Sequence, residues 1–350
     1  MKNVYINGVG AVTVQGVYDE NFFGKETVPL NNVNYAQHPS YKNWITPAMI
    51  RRMSTAVKMG IYASQTALDD AQLTTPETII TGTGMGCLQD SEKFLRSLIE
   101  NQEQFLTPTS FIQSTHNTVG AQIALRLQCK GYNFTYVNGA NSFENALLDA
   151  KLQIQNSETQ NVLLGGIDEI SDYTLSLLEK IQHIKKEGES IDFKNPQTNG
   201  VPFGEGAAFF VLSDEKTAET YAEIKDVSVF NTPNKQDIKT EINDFLHQNQ
   251  LELEDIDAII LGKNGDMAFD AVYKEVAEMF HKTPQIYYKH LSGEYNTASA
   301  IGFLAASHLI KKQTIPVMLQ LNPIQPVEIK KVLLFNQYRA TDFSFVLLSQ

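Results

Sequence analysis

Cysteine is scarce in this chain, with Cys87 and Cys129 the only two in 350 residues. Two isolated thiols offer neither a disulfide framework nor the spacing of a metal site, so a stapled secreted fold and a bound metal are both unexpected. Tryptophan occurs once. No apolar run reaches the roughly 20 residues that a membrane-spanning helix needs. Met1–Gly16 lacks the basic start and small-residue cleavage pattern of a secretory signal, which makes the cytoplasm the expected location. Positive charge is also in deficit: 28 lysines and arginines face 40 acidic residues, a formal charge of −12, and this disfavours a nucleic-acid partner.

What is present suits a large α/β protein. With 42% hydrophobic and 10% aromatic residues the chain can bury a substantial core, as one large domain or two. Glycine and β-branched runs alternate with amphipathic stretches in a βαβ rhythm, which predicts buried, mostly parallel sheets covered by helices. Strands are expected at Ala207–Leu212, Ala258–Leu261, Lys331–Phe335 and Phe343–Leu348, and helices at Arg51–Leu73, Ala268–Phe280 and Thr297–Lys311. Tyr132–Ala150 reads as a short β-rich run, a tight Asn138-Gly139 turn and a helix carrying Phe143, Ala146, Leu147 and Ala150 at helical spacing. At such an elbow the free N–H groups and the helix dipole would activate a thiol and stabilise an oxyanion. The residue placed there is Ala140, which can do no chemistry.

This elbow resembles the nucleophile elbow of the β-ketoacyl-ACP synthases, and counting back from Ala146-Leu147 sets the family's cysteine on Ala140. Further segments resemble the same family in order: YINGVGAVTVQG (Tyr5–Gly16), RRMSTAVKMGIYASQTALDDAQL (Arg51–Leu73), IITGTGMGC (Ile79–Cys87), TPTSFIQSTHNTVGAQIALRL (Thr107–Leu127), VLLGGIDE (Val162–Glu169) and PFGEGAAFFVLSDE (Pro202–Glu215). The resemblance implies a thiolase-like fold, two internally duplicated βαβαβαββ halves in five layers. The half boundary is expected near Thr217–Thr232, with residues 1–220 as the N-terminal half and 221–350 as the C-terminal half.

Condensation on a thioester also needs two histidines to stabilise the enolate and oxyanion. By resemblance the first falls on Gly262 in IDAIILGKNGDMAFD, and the pantetheine-contacting threonines on Asn264 and Asp266. In KHLSGEYNTASAIG the family lysine is kept as Lys289, while the second histidine becomes Glu294. The glycine-rich gate near the C-terminus is replaced by NQYRATDF, with Arg339 and Ala340 at glycine positions. The whole catalytic set is therefore missing together, and no cofactor is implied.

The resemblance then implies a non-catalytic, chain-length-factor-like subunit of fatty acid, polyketide or aryl-polyene pathways. Its expected partners are an active ketosynthase, or a second copy of itself, and an acyl carrier protein. Such folds dimerise by strand pairing across a two-fold, so each protomer walls part of its neighbour's acyl tunnel. Phe105, Phe111, Ile112 and Phe143 are the tunnel and interface candidates, with His116 in a loop approaching the partner. Arg51, Arg52 and Lys58 on one expected helix, or Lys311 and Lys312, are candidates for docking an acidic carrier protein. Two alternatives stand beside this reading. One is a divergent acyltransferase using Lys263, Lys289 or Glu294 without the usual cysteine; the other is a carrier-protein-binding scaffold. Lys263, Lys289 and Glu294 are expected to converge on the altered site, where a Lys–Glu pair would fill the space a histidine leaves. His290 is expected at the surface or beside a helix, and Ser142 has no histidine placed to activate it.

Overall fold

Successive residues of a strand point to opposite faces of its sheet, and here that alternation divides the core into three apolar layers. The computed structural model describes residues 2–231 and 237–350. Its first part supplies β1 (Tyr5–Thr13), β2 (Gly16–Val17), β3 (Val33–Asn34), α1 (Pro47–Ile50), α2 (Thr55–Asp70), β4 (Thr78–Gly82), α3 (Leu88–Glu100), α4 (Pro108–Gln113), α5 (Thr118–Leu127), β5 (Asn133–Tyr136), α6 (Ser142–Gln155), β6 (Asn161–Asp168), α7 (Asp172–Lys180), β7 (Phe203–Gly204) and β8 (Gly206–Ser213). The second supplies β9 (Ala222–Asn231), α8 (Ile238–Gln248), β10 (Ala258–Leu261), α9 (Asp270–Met279), β11 (Gln285–Tyr287), α10 (Ser299–Lys312), β12 (Lys331–Tyr338) and β13 (Asp342–Ser349).

The strand order repeats. It runs β1-β8-β6-β4-β5 in the first part and β9-β13-β12-β10-β11 in the second, and a short β1–β9 pairing at Tyr5↔Glu223 and Ile6↔Ala222 joins the two. Directions repeat as well: β8 is antiparallel to β1 and β6, and β13 to β9 and β12, while β6, β4 and β5, like β12, β10 and β11, run parallel. The expected mostly parallel sheet is thus corrected to a mixed one. The cause is local for β12 and β13, which are joined by so tight a turn that they must pair antiparallel. With α2, α5 and α6 in the first part and α8, α9 and α10 in the second, both read βαβαβαββ. Of the boundary segment Thr217–Thr232 expected from sequence, Thr232 lies outside the described residues.

The layers follow from the alternation. Ile80, Leu164, Phe210 and Leu212 from one sheet, and Ile260, Leu334, Val346 and Leu348 from the other, enclose α6 and α10 in a central cluster. Their neighbours Ile79, Leu163, Phe209 and Val211 turn outward onto α2 and α5. On the far side Ile259, Leu333, Phe345 and Leu347 pack against α8 and α9. Helix, sheet, helix, sheet, helix makes the five layers of a thiolase-like fold. Because α10 is covered on both sides, nearly its whole length is buried, as its apolar sequence AIGFLAASHLI requires.

One expected helix starts later. Of Arg51–Leu73, the first residues form a turn after α1 and the helix is α2, because the Ser54 side chain accepts a hydrogen bond from Val57 N–H and caps the helix there. Arg51 and Arg52 therefore lie on an exposed turn, and only Lys58 is on the helix.

Candidate functional site

The elbow forms as its sequence predicts. Gly139, at φ +56°, turns the chain out of β5, and a 3-10 turn Gly139–Asn141 leads into α6. Ala140 is buried at the turn, 4% exposed. Ser142 is held within the elbow: its Oγ accepts from Asn138 N–H (2.8 Å) and donates to Gly139 O (2.7 Å). That hydroxyl is occupied by backbone and has no base beside it, so it is no substitute nucleophile.

Lys289 and Glu294, on the segment after β11, form the centre of the altered site. Glu294 Oε2 accepts from Lys289 Nζ at 2.6 Å and from Asn264 Nδ2 at 2.8 Å, and all three side chains are buried. Asn264 Oδ1 in turn accepts from Asp266 N–H (3.1 Å), and Asp266 Oδ1 from Ala268 N–H (3.0 Å). Lys263 does not join them, contrary to expectation. Residues adjacent in an extended segment point in opposite directions, and Lys263 turns to α9, where its Nζ meets Asp270 Oδ1 at 2.8 Å.

Gly262 leaves no space for an imidazole. A Cβ built there would lie 2.2 Å from Asn336 Oδ1 and 2.9 Å from Tyr273 Oη. Both neighbours are fixed. Asn336 Oδ1 accepts from Tyr288 Oη (3.2 Å), while Tyr273 Oη donates to Gln337 O (3.1 Å) and accepts from Gln337 N–H (3.2 Å). Burial raises both tyrosine hydroxyls well above their ordinary pKa, so they remain neutral donors. The space beside Gly262 is filled with hydrogen-bonded side chains.

Glu144 is a further buried carboxyl that the sequence reading did not single out. Its side chain is fully buried in the first turns of α6, where Oε1 accepts from Ser344 Oγ at 2.9 Å. Burial holds its carboxyl above the usual range, against hydrogen bonds that lower it. The available signal was periodicity, since Glu144 is four residues after Ala140 and three before Leu147, on the buried stripe of the helix.

His290 lies half-buried in the 3-10 turn Lys289–Leu291. Both ring nitrogens are buried without a partner among the described residues, and its ring lies 4.2 Å from that of Tyr287. Burial, with Lys194 adding, pushes its pKa down to about 3. It is a neutral packing group. His116 is exposed in the loop before α5.

Of the tunnel candidates, Phe105, Phe111 and Ile112 are exposed. Phe143 is not. It points into the central layer, with ring centroids 5.8 Å from Phe210 and 5.6 Å from Phe303, and has no exposed surface. Its helical phase, three residues before Ala146, makes it core. Lys311 is engaged as well: its Nζ donates to Glu219 O (2.7 Å) and lies 3.8 Å from the Tyr221 ring centroid.

The two acids that end VLLGGIDE, Asp168 and Glu169, stitch this region together. Asp168 accepts from Thr83 Oγ1 (3.0 Å) and Gly84 N–H (2.8 Å) on one side, and from Thr297 N–H (2.9 Å) and Oγ1 (2.8 Å) on the other. Glu169 accepts from Ala56 N–H (2.7 Å) and Gln89 N–H (2.9 Å), at the starts of α2 and α3. Burial outweighs those bonds and pushes Glu169 up to about 7. A carboxyl raised in the folded state favours folding while it is protonated. Its stabilising contribution is whole below the ordinary carboxyl range and is lost as pH rises through about 7. Between pH 5 and 7 the loss from this group is about 2 kcal/mol. Urea titrations at both pH values should show Glu169→Gln with a correspondingly flatter profile, and an unchanged slope would refute the assignment.

The gate turn is strained. Arg339 and Ala340 sit at φ +51° and +53°, closed by Thr341 N–H donating to Tyr338 O (3.0 Å). A primed turn of this kind favours Asn-Gly. Arg339→Asn with Ala340→Gly is expected to stabilise the chain by about 1 kcal/mol, read as a higher urea midpoint at constant m. A lower midpoint would mean that the stacking of Arg339 on Phe269, at 4.9 Å, outweighs the strain.

With this geometry in hand, the comparisons with known proteins are direct. The profile of the β-ketoacyl synthase N-terminal domain matches residues 6–218. The chain belongs to the β-ketoacyl synthase family. No curated protein sequence matches it significantly. Among solved structures, a chain of the ishigamide ketosynthase/chain length factor aligns with TM-score 0.81 at 19% identity over 100% of this chain and 99% of its own. A β-ketoacyl synthase from Burkholderia phymatum STM815 gives 0.83 at 17% over 100% of both chains. A chain from the complex of the ketosynthase ApeO with its chain length factor ApeC, from Xenorhabdus doucetiae, gives 0.79 at 16% over 99% and 98%. At these identities the likeness establishes the thiolase-like ketosynthase fold. Among the described residues no helix is long and apolar enough to cross a membrane, and none of their His, Cys, Asp and Glu side chains group as a metal site.

Proposed function

We propose that this β-ketoacyl synthase family member is a non-catalytic subunit of chain-length-factor type, which pairs with a cysteine-bearing ketosynthase in the cytoplasm. The observation that carries the reading is the filled site. Ala140 replaces the nucleophile, Asn336 and Tyr273 occupy the space beside Gly262, and Glu294 is tied to Lys289 and Asn264. No nucleophile with a base remains. A chain emptied of chemistry but keeping its fold is suited to work through a partner's site, and two of the structural neighbours are named as ketosynthases together with a chain length factor.

The surface supports pairing. β5 is the outermost strand of its sheet, with Tyr132, Phe134 and Val137 exposed on and beside it, an edge that invites a second strand. In this reading Phe111 and Ile112, exposed on α4, wall the partner's acyl tunnel. In this reading residues 1–220 form the N-terminal half, which carries the pairing surface, and 221–350 the C-terminal half. Arg51 and Arg52, on their exposed turn, form a docking point for an acidic carrier protein.

Co-expression with a cysteine-bearing ketosynthase, purification through a tag on this chain and a malonyl-ACP elongation assay test the proposal. A one-to-one complex should elongate, and Phe111→Ala in this chain should lengthen the product. An unchanged product spectrum removes the tunnel role. Elongation by this chain alone, abolished by Glu294→Ala, would replace the reading with a cysteine-free acyltransferase.

A further inference from the structure

Four polar side chains far apart in sequence form a second network, separate from the altered site, that runs from α2 to α10 and ends at the surface. It begins at Asp70, the last residue of α2, whose Oδ2 accepts from Val9 N–H at 2.9 Å. Tyr221, 8% exposed, gives its hydroxyl proton to the same carboxylate and meets the Tyr18 hydroxyl on its other side. Tyr18 Oη in turn lies 3.2 Å from Nδ1 of His308, which stands about two and a half turns from the start of α10. Aromatic rings fix the far end: the Phe23 ring centroid is 4.6 Å from that of His308 and 6.1 Å from that of Tyr18.

The carboxylate sets the direction of the protons along this network, because an ionised acid has none to give. Tyr221 donates to Asp70, Tyr18 donates to Tyr221, and Tyr18 Oη is left as the acceptor for His308. Burial, with Lys312 adding, pushes His308 down to about 4, so the imidazole is neutral and carries one proton. That proton sits on Nδ1, and Nε2 keeps a free lone pair whose basicity the bonds behind it reinforce. Nε2 has no hydrogen-bond partner among the described residues and, unlike the ring nitrogens of His290, is not sealed from solvent. His308 lines a surface pocket of about 670 Å³, with Phe23, Pro316, Val317 and Met318 as its apolar wall and Glu20, Lys25 and Glu26 around it.

We propose that this pocket binds a neutral hydroxyl compound with an apolar body, a phenol or an alcohol, whose O–H donates to His308 Nε2 while its carbon frame lies against Phe23, Val317 and Met318. The acceptor at the floor selects a donor. A carboxylate brings no proton and meets Glu20 and Glu26, while an ammonium meets the positive potential that Lys312 adds at the ring. An ether or ketone of the same shape leaves Nε2 unpaired and gains the apolar contact alone. Val317 is 84% exposed, so a bound ring would cover apolar surface that now faces water. The inference concerns the chain by itself and does not rest on the pairing proposed above.

Two measurements on the full-length chain test it. Nitrogen-15 spectra should show His308 with its proton on Nδ1, and Tyr18→Phe, which cuts the network, should move the proton to Nε2; a wild-type ring protonated on Nε2 overturns the proposal. With methyl-13C methionine, assigned through Met318→Leu, titration with 4-propylphenol should shift the Met318 signal, with a dissociation constant about tenfold lower than for 4-propylanisole. His308→Phe should abolish that difference. Val317→Asp, at a position exposed enough to leave folding intact, should weaken 4-propylphenol about tenfold. No shift at Met318, equal affinity for phenol and ether, a preference that survives His308→Phe, or tighter binding of 4-propylbenzylamine than of 4-propylphenol would each overturn the assignment.

Discussion

Lys289→Met is expected to destabilise the chain by about 3–5 kcal/mol, among the largest single-residue losses that a position outside the apolar core can give. Lys289 is 1% exposed and Glu294 3%, so neither partner can turn to water when the other is removed. Deleting the ammonium leaves Glu294 Oε2 with Asn264 Nδ2 as its one remaining donor, and a buried carboxylate needs more than that. The pair itself is not strongly stabilising, because desolvating both ions offsets most of their attraction. The double replacement Lys289→Met/Glu294→Leu should therefore recover most of the loss. Urea unfolding of the four proteins in the cycle gives the coupling directly. A loss below about 1 kcal/mol for Lys289→Met, or a double variant as unstable as the single ones, would show that water reaches the pair. Under the proposed function the double variant should still support elongation in a complex with a ketosynthase, because the pair would hold a shape and take no part in chemistry.

The fold was more legible than the contents of the site, for a physical reason. Strand–turn–helix periodicity is local, so the elbow at Asn138-Gly139 could be read from the chain, while the repeated βαβαβαββ order was implied by the family resemblance. Direction of pairing is not local, and the antiparallel β8 and β13 were hidden in a rhythm that suggested parallel sheets. The family resemblance set altered catalytic positions on Ala140, Gly262 and Glu294, but could not say what surrounds them. Asn336 and Tyr273 come from β12 and α9, and only the folded chain brings them to Gly262. Lys263 and Lys289 looked equivalent as charges in the sequence, and their separate partners follow from which way each side chain points. Single charged or aromatic residues were the least legible. Phe143 and His290 are buried by neighbours distant in sequence, Phe303 for the first and Phe193 for the second.

Gly262→His should prevent folding, and even Gly262→Ala is expected to cost about 1–3 kcal/mol, the usual range for overpacking a filled core. A methyl group at 2.2 Å from Asn336 Oδ1 must displace an amide that accepts from the buried Tyr288 hydroxyl, so steric and hydrogen-bond losses add. Truncating the obstacle tests the cause: Gly262→Ala with Asn336→Gly should recover part of the loss, and a double variant no better than the single one would place the strain elsewhere. The same contact decides whether activity can be rebuilt. Ala140→Cys puts a thiol on the elbow, but the position that the family resemblance gives the first histidine is closed by Asn336 and Tyr273, and the one it gives the second holds Glu294 tied to Lys289. His290, whose nitrogens are buried and unpartnered, stays neutral and cannot serve as a cationic donor to a thioester oxyanion. Ala140→Cys alone is therefore expected to give no condensation of malonyl-ACP by this chain, and condensation at a measurable rate would show that the elbow needs neither histidine. Repair would require clearing Asn336 and Tyr273 before any imidazole is added, so the barrier to renewed catalysis lies in the packing around Gly262 more than in the missing sulfur.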